Sequence, residues 1–231
     1  MSGPHLIILL LCLLMVQVKC SLIDDATAKL ETLRQTVLSS IKSSENHLND
    51  LSYDFEVYAV NVETKGILSI QNGEEQVTSE LDALKTLGES ASVDISYCLG
   101  SREEYLINLP GVIIEELKQC ILGDAQEASK ILSSIQYIID IKINRVDALE
   151  FQLDLCDPDS DACIQPIVKE IELEMVNIPN SIATQIVRGN GLFDELKVSV
   201  QACSDLKVSQ YSSSASVVLK DITQCVNSII G

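Results

Sequence analysis

Apolar residues recur along most of this chain at alternating spacings of three and four positions, which places them on one face of a helix. The first series is Ile23, Ala26, Leu30, Leu33 and Val37. No segment alternates apolar and polar residues with the period of two that a half-buried strand requires. The pattern therefore predicts an all-α fold.

Turn signals separate the predicted helices. They lie at residues 72–73 (Asn-Gly), 108–111 (around Pro110), 156–161 (Cys-Asp-Pro-Asp-Ser-Asp) and 212–214 (three serines). Proline lacks the backbone donor of a helix, and glycine, asparagine and serine favour turns. We also expect Pro179 to kink the fourth helix and Gly189 and Gly191 to interrupt it. Helices of about 35 to 48 residues with short connections pack as antiparallel neighbours. The expected architecture is an elongated up-and-down antiparallel bundle of four long helices plus a short C-terminal helix.

The N-terminal segment has the pattern of a secretion signal. Leu6–Val16 is apolar throughout and too short to span a bilayer, which needs about 20 residues. Val18 and Cys20 suit the −3 and −1 positions of a cleavage site. We therefore expect residues 1–20 to be a signal peptide and residues 21–231 to form a single secreted, extracellular bundle domain. No later apolar run is long enough for a membrane span.

Six cysteines remain after the expected cleavage, and an even number in a secreted chain predicts three disulfides. They are Cys98, Cys120, Cys156, Cys163, Cys203 and Cys225. Two of the intervals between them are equal, and each is centred on a turn signal, at Leu109 and at Ser214. Residues equidistant from a hairpin turn lie side by side, as a disulfide requires. We therefore predict pairs that cross-link the helix corners: Cys98–Cys120, Cys156–Cys163 and Cys203–Cys225. The alternative is that some pairs join distant helices.

Two cysteine-containing segments also resemble each other. Residues 114–120 and 219–225 align apolar, acidic and Gln-Cys positions in the same order. This similarity indicates an internal duplication with halves near 21–122 and 123–231. The alternative is a partial match of the kind that any two amphipathic helices show.

Charge excludes several classes of partner. The 231 residues include 16 Lys and Arg against 34 Asp and Glu, which gives a formal net charge of −18. Binding nucleic acid requires basic residues that displace condensed counterions, and docking on anionic lipid surfaces requires them too. With no Trp and 4% aromatic residues, the chain also offers little surface for stacking bases or sugars. We therefore expect no nucleic-acid partner.

Candidate chemistry is scarce. His47 is the single histidine left after the expected cleavage, and its polar helical surroundings indicate an exposed bystander. The chain contains no G-x-S-x-G, H-E-x-x-H or C-x-x-C motif, so neither a hydrolytic triad nor a zinc site is indicated. If all six cysteines are oxidised, no thiol remains for catalysis. We expect no enzyme, no catalytic residue, no cofactor and no metal site.

One acidic segment partly matches a calcium loop. Asp157, Asp159 and Asp161 occupy positions 1, 3 and 5 of such a loop. Ala162 and Val168 stand where the loop needs glycine and a bidentate glutamate. We interpret the segment as an acidic turn bridged by a disulfide, with weak calcium binding as the alternative.

The layout of the chain resembles the TsetseEP-domain family of insect extracellular proteins. The resemblance rests on an insect-like leader, an acidic helical chain, and Cys98, Cys203, Gln119-Cys120 and Gln224-Cys225. It covers about the last 135 residues and includes no diagnostic motif. The resemblance implies a non-enzymatic role in gut or defence. No Glu-Pro repeat follows the last helix, which departs from the family, and no binding residue is carried over.

These observations favour a secreted, non-catalytic extracellular interaction protein in insect gut or haemolymph defence. The alternative is a carrier that holds a lipid or another apolar ligand in the core of the bundle, because the isoleucine-rich third helix could line a cavity as well as fill a core. The expected partner is accordingly an extracellular protein or an apolar ligand.

Overall fold

The computed structural model describes residues 22–231, in which four α-helices and no strand are present. The helices are α1 (Leu22–Ser90), α2 (Ser96–Asp140), α3 (Ile143–Asp154) and α4 (Asp161–Ile230). The predicted all-α class is confirmed. The predicted count is wrong, because α1 and α4 run on as helices of 69 and 70 residues where shorter ones were expected. The predicted signal peptide, residues 1–20, lies outside the described part of the chain.

Asn72-Gly73 does not form a turn, because its glycine is a packing position of α1. An ideal Cβ on Gly73 would lie 2.6 Å from Cε1 of Tyr211 in α4. Tyr211 is almost fully buried. Gly73 therefore leaves room for the Tyr211 ring of α4, and α1 continues to Ser90.

Pro110 and the serines at 212–214 do not end helices either. Pro110 lies inside α2, where Leu106, Leu109 and Ile113 are all buried in the core. Burial of these side chains offsets the backbone hydrogen bond that proline cannot donate. In α4 the hydroxyl of Ser212 donates to the Val208 carbonyl at 3.0 Å. A short C-terminal helix therefore does not exist as a separate element. Pro179, Gly189 and Gly191 also lie within the continuous α4.

Of the connections between the helices, one lies where a turn was predicted and the other two lie at positions that were not predicted. Residues 155–160 form the turn expected near Pro158. Residues 91–95 join α1 to α2, and residues 141–142 join α2 to α3. In the first of these, Asp94 accepts the Ser96 N–H at 2.9 Å and also the Ser96 hydroxyl. These hydrogen bonds, led by the one from the hydroxyl, hold the pKa of the Asp94 carboxyl below its usual range. Asp94 thus caps α2 in its ionised form.

The chain divides into two compact units, the first built from four helical segments and the second from three. Unit 1 contains residues 22–47 and Ile135–Val187, and unit 2 contains Leu48–Ser134 and Arg188–Gly231. Within unit 1 the buried apolar residues include Ala26, Leu30, Leu33, Val37, Ile135, Ile139, Val146, Leu149, Leu153, Ile164, Ile171, Ile178 and Ile182. Many of these belong to the series that the sequence pattern identifies. The predicted duplication stays a prediction.

Ion pairs cross three helix–helix seams of unit 1. They are Lys29 with Glu172 between α1 and α4, Arg34 with Asp147 and Glu150 between α1 and α3, and Arg145 with Glu170 and Glu174 between α3 and α4. Hydrogen bonds to Glu172 and then Asp25 raise the pKa of the Lys29 ammonium. Each pair of opposite charges thus favours one particular helix as the packing neighbour and one alignment between the two helices.

Two disulfides cross-link α2 to α4 within unit 2. Cys98 bonds to Cys225 with their Cα atoms 5.6 Å apart, and Cys120 bonds to Cys203 with a Cα separation of 6.5 Å. The predicted pairs Cys98–Cys120 and Cys203–Cys225 are therefore wrong. Because α2 continues through Pro110 after a kink at Gly100, about 30 Å of helix separates Gly100 from Cys120, and Cys98 lies before the kink. The third prediction is confirmed, because Cys156 bonds to Cys163 across the turn between α3 and α4.

The equal cysteine intervals follow from the antiparallel course of α2 and α4. Cys120 lies 22 positions after Cys98 on α2, and Cys203 lies 22 positions before Cys225 on α4. Twenty-two residues are about six helical turns, so Cys203 and Cys225 lie on the same face of α4, while Cys98 reaches Cys225 from the short segment before the kink at Gly100. Equal spacing on two antiparallel helices allows both bridges to form in a single register.

In unit 2, α1 runs parallel to α4 with a constant offset. The rings of Phe55 and Phe193 meet edge to face, with centroids 5.6 Å apart and planes at 88°. Gly66 faces Ser204 in α4, and an ideal Cβ on Gly66 would lie 2.6 Å from the Ser204 Oγ. These pairs, like Gly73 with Tyr211, are each 138 positions apart. Small and large residues therefore alternate in matched positions along this seam. None of the helices in the described range has the length and apolarity that crossing a bilayer requires.

Candidate functional site

A largely apolar groove lies between α1 and α2 in unit 2, with a volume of about 420 Å³. We call it the α1–α2 groove. The residues that line it are Ser52, Phe55, Glu56, Ala59, Val60, Glu63, Lys118, Ile121, Leu122, Ala125, Ala128 and Ser129. The groove is open to solvent along its length and is lined by core residues at its floor.

The floor of the groove consists of side chains that also belong to the hydrophobic core. Phe55, Ala59, Ile121 and Ala128 are each at most 6% exposed. Val60 and Leu122 form opposite rims and are about half exposed. Alanine side chains at both helices leave space that larger residues would fill. Ile121 and Ala128 lie in the isoleucine-rich segment that the sequence suggests as either core or cavity lining, and they contribute to both the core and the floor of the groove.

Charged residues lie at one end and on one rim of the groove. Because α1 and α2 are antiparallel, Glu63 and Lys118 share one end, while Ser52 and Ser129 share the other. Glu56 lies on the α1 side between them. Within residues 22–231, none of Glu56, Glu63 and Lys118 takes part in an ion pair or a side-chain hydrogen bond. These charges are therefore available to a ligand.

A second apolar feature lies on the outward face of α1. We call Tyr53, Val57, Val60 and Leu68 the α1 outer stripe. These side chains are between 42% and 67% exposed and recur at helical spacing on the side opposite Phe55 and Val62. They lie outside the inward-facing series of apolar residues from which the core is predicted. A second series at three- and four-residue spacing was the signal that could have revealed them.

Acidic residues flank the α1 outer stripe. Asp50 and Asp54 lie near its N-terminal end, and Glu56 and Glu63 lie toward the α1–α2 groove. Each is a carboxylate within one turn of a stripe residue. A partner that covered the stripe would therefore meet negative charge at its edges.

Polar candidates from the sequence do not converge on a site. His47 is exposed on α1, as expected. Asp157 accepts the backbone N–H of Asp159 at 3.0 Å, and Asp161 begins α4. Among residues 22–231, no group of three or more His, Cys, Asp or Glu side chains is placed to hold a metal ion. The acidic turn therefore has the geometry of a helix-initiating turn.

Two further grooves lie between α1 and α4 in unit 2. The larger has a volume of about 370 Å³ and is lined by Gly73, Tyr211 and Lys220 among others. Burial raises the pKa of the Tyr211 phenol, and the charge of Glu74 raises it further. The smaller, of about 270 Å³, is lined mainly by polar residues such as Gln201 and Asp205. Both have less apolar character than the α1–α2 groove.

All six predicted disulfide cysteines are oxidised, so none is present as a thiol. Three disulfides are consistent with an oxidising extracellular setting. Comparison with protein-family models and with curated proteins finds no match to this chain.

Proposed function

We propose that this protein is a secreted, non-catalytic extracellular interaction protein that binds a partner through the α1 outer stripe. The observation that supports the proposal is the exposure of Tyr53, Val57, Val60 and Leu68 on one face of α1, away from the core. Isolated exposed apolar residues are common, but a periodic row on one helix is typical of a helix-packing surface.

The disulfide-linked helices give that surface a fixed support. Cys98–Cys225 and Cys120–Cys203 join α2 to α4, and α1 packs beside them through Phe55 and Gly66. A surface held in place before binding loses less conformational entropy when a partner docks. The acidic residues beside the stripe favour a partner that presents an apolar helix face or surface strip flanked by basic residues.

Secretion and an insect gut or haemolymph defence role are part of this proposal. They are supported by the N-terminal signal pattern, by three disulfides and by the resemblance to the TsetseEP-domain family at Gln119-Cys120 and Gln224-Cys225. Membership of that family is likewise proposed. The sequence offers no constellation on which an enzymatic role could be built.

A quantitative capture experiment tests the interaction proposal. The purified protein is immobilised and incubated with insect gut fluid or haemolymph. Proteins whose binding saturates are then identified by mass spectrometry. The double variant Tyr53→Ser with Leu68→Ser is expected to reduce capture by at least about tenfold. The matched control, Leu173→Ser with Val176→Ser, changes exposed apolar residues of unit 1 and should retain capture. Equal capture by both double variants would contradict the proposal.

A second function, transport of an apolar ligand, is favoured by one separate observation. The α1–α2 groove offers about 420 Å³ bordered by seven apolar residues, most of them on two antiparallel helices of the core. Organic extraction of protein purified from its native fluid tests this alternative. Recovery of a stoichiometric lipid would support a carrier, and extracts free of apolar ligand would argue against it.

A further inference from the structure

The α1–α2 groove is deficient in side-chain volume at core positions. Ala59 on α1 and Ala128 on α2 are buried, and Ala125 is partly buried beside them. Core positions nearer the α1–α2 connection hold larger side chains, such as Leu81 and Leu106. The small side chains of Ala59, Ala125 and Ala128 therefore leave apolar surface of the core accessible along the floor of the groove.

The length of the opening fits an extended occupant. From the Ser52 and Ser129 end to the Glu63 and Lys118 end, the groove follows 11 positions of each helix. At 1.5 Å per residue the groove is about 16 Å long, which matches an extended hydrocarbon chain of about a dozen carbons. Phe55, Ile121, Val60 and Leu122 would surround one chain on its floor and rims.

The charges at the end of the groove select the head group. Lys118 supplies a positive charge, and Glu63 supplies a negative charge across the same end. A fatty acid would bring another carboxylate toward Glu63 and Glu56. A zwitterionic head places its phosphate near Lys118 and its quaternary ammonium near Glu63, so that both charges are complemented.

We propose that the α1–α2 groove binds one single-chain zwitterionic lipid of the lysophosphatidylcholine class, with its acyl chain over Phe55 and Ile121 and its head group between Glu63 and Lys118. This proposal rests on the carrier function described above and names its ligand. It does not depend on the α1 outer stripe except at Val60, which belongs to both surfaces.

Titration calorimetry on the full disulfide-bonded protein tests the proposal. The probe is lysophosphatidylcholine with a twelve-carbon chain, kept below the concentration at which it forms micelles, and the reference ligand is the twelve-carbon fatty acid. We expect one lysolipid per chain, with an affinity at least about tenfold above that of the fatty acid. Fatty acid binding as tight as that of the lysolipid would overturn the assignment of the head group.

Variants locate the binding site. Ala125→Leu adds three carbons inside the groove and is expected to weaken lysolipid binding by about tenfold or more, because the added side chain occupies the path of the acyl chain. The matched control Ala202→Leu adds the same atoms at an exposed position of α4 and should leave binding unchanged. Val60→Ser alters an exposed rim residue, so it weakens binding without repacking the core. Lys118→Gln should reduce the preference for the lysolipid. Thermal unfolding of every variant confirms that it is folded.

The outcomes separate this proposal from the broader carrier function. Tight lysolipid binding that Ala125→Leu and Val60→Ser leave intact would overturn the assignment to this groove while the carrier function stands. Absence of lysolipid binding in a protein that yields another apolar ligand on extraction would overturn the ligand class alone. If the protein neither binds the lysolipid nor yields an apolar ligand on extraction, the carrier function is overturned as well. A dimer whose formation Ala125→Leu disrupts, together with no lysolipid binding, would show that a second copy covers the groove.

Discussion

The Lys207 ammonium lies 2.6 Å from Glu116 Oε2, and this ion pair joins α4 to α2 between the two interhelical disulfides. It shares their register, because Glu116 lies four positions before Cys120 and Lys207 lies four positions after Cys203. The hydroxyl of Ser199 donates to Asp124 at 3.0 Å in the same register on the other side of that disulfide. Covalent, ionic and hydrogen-bonding contacts therefore all specify one alignment of α2 against α4.

Gly73 and Gly191 should respond in opposite ways to alanine. Gly73→Ala places a methyl group 2.6 Å from the ring of Tyr211, and we expect it to destabilise the protein by about 1 to 3 kcal/mol. Gly191 lies in α4 with no atom within 4 Å of an ideal Cβ. Gly191→Ala should stabilise the protein by up to about 1 kcal/mol, because alanine has the higher helix propensity. Urea unfolding followed by circular dichroism measures both changes. Stabilisation by Gly73→Ala would show that the Tyr211 contact does not exist.

The sequence pattern predicts the helical class and much of the core, because burial in a helix follows the 3.6-residue period directly. Leu30, Leu33 and Val37 are buried as expected. The pattern does not predict where helices end. Asn72-Gly73 has the composition of a turn, yet Gly73 packs against the ring of Tyr211, which lies 138 positions later in the chain. Such a contact exists only between helices and leaves no local trace in the sequence.

The sequence pattern also does not determine how the cysteines pair. Equal intervals between Cys98 and Cys120 and between Cys203 and Cys225 fit nested hairpins and also fit two antiparallel helices joined twice. The choice depends on whether α2 breaks at Pro110, which is decided by burial of Leu106 and Leu109. The α1–α2 groove was likewise only partly predictable, because the isoleucine-rich segment indicated core or cavity lining while its neighbours across the seam, such as Ala59, were not known.

The ion pairs of Arg34 should contribute measurably to the stability of unit 1. Its guanidinium lies 2.9 Å from Asp147 and 2.6 Å from Glu150 on α3, and the side chain is about three-quarters buried. We expect Arg34→Gln to lower the free energy of unfolding by about 0.5 to 1 kcal/mol. Lys42→Gln is the control, because Lys42 is mostly exposed and pairs only with Glu45 one turn away. Added salt should reduce the difference between wild type and Arg34→Gln. A difference that persists in high salt would indicate lost packing in place of lost charge.

Tyr211 should make stability depend on alkaline pH. Burial raises the pKa of its phenol in the folded state, so the unfolded chain ionises first. The associated stabilisation is fully present below the unfolded value of about 10 and is lost as pH rises through the folded value. We therefore expect wild type to lose more stability between about pH 9 and pH 11 than Tyr211→Phe does. Tyr53→Phe alters an exposed phenol and should follow wild type. Parallel pH profiles for wild type and Tyr211→Phe would show that Tyr211 is not buried in solution.

The α2–α4 register supports the groove and the α1 outer stripe, and disulfide mapping tests it most directly. Trypsin digestion of the unreduced protein cleaves after Arg102, Lys130 and Lys207, so Cys98, Cys120, Cys203 and Cys225 fall on separate peptides. Mass spectrometry should find the Cys98 peptide linked to the Cys225 peptide and the Cys120 peptide linked to the Cys203 peptide. Linkage of Cys98 to Cys120, or of Cys203 to Cys225, would contradict the structure and every surface built on it.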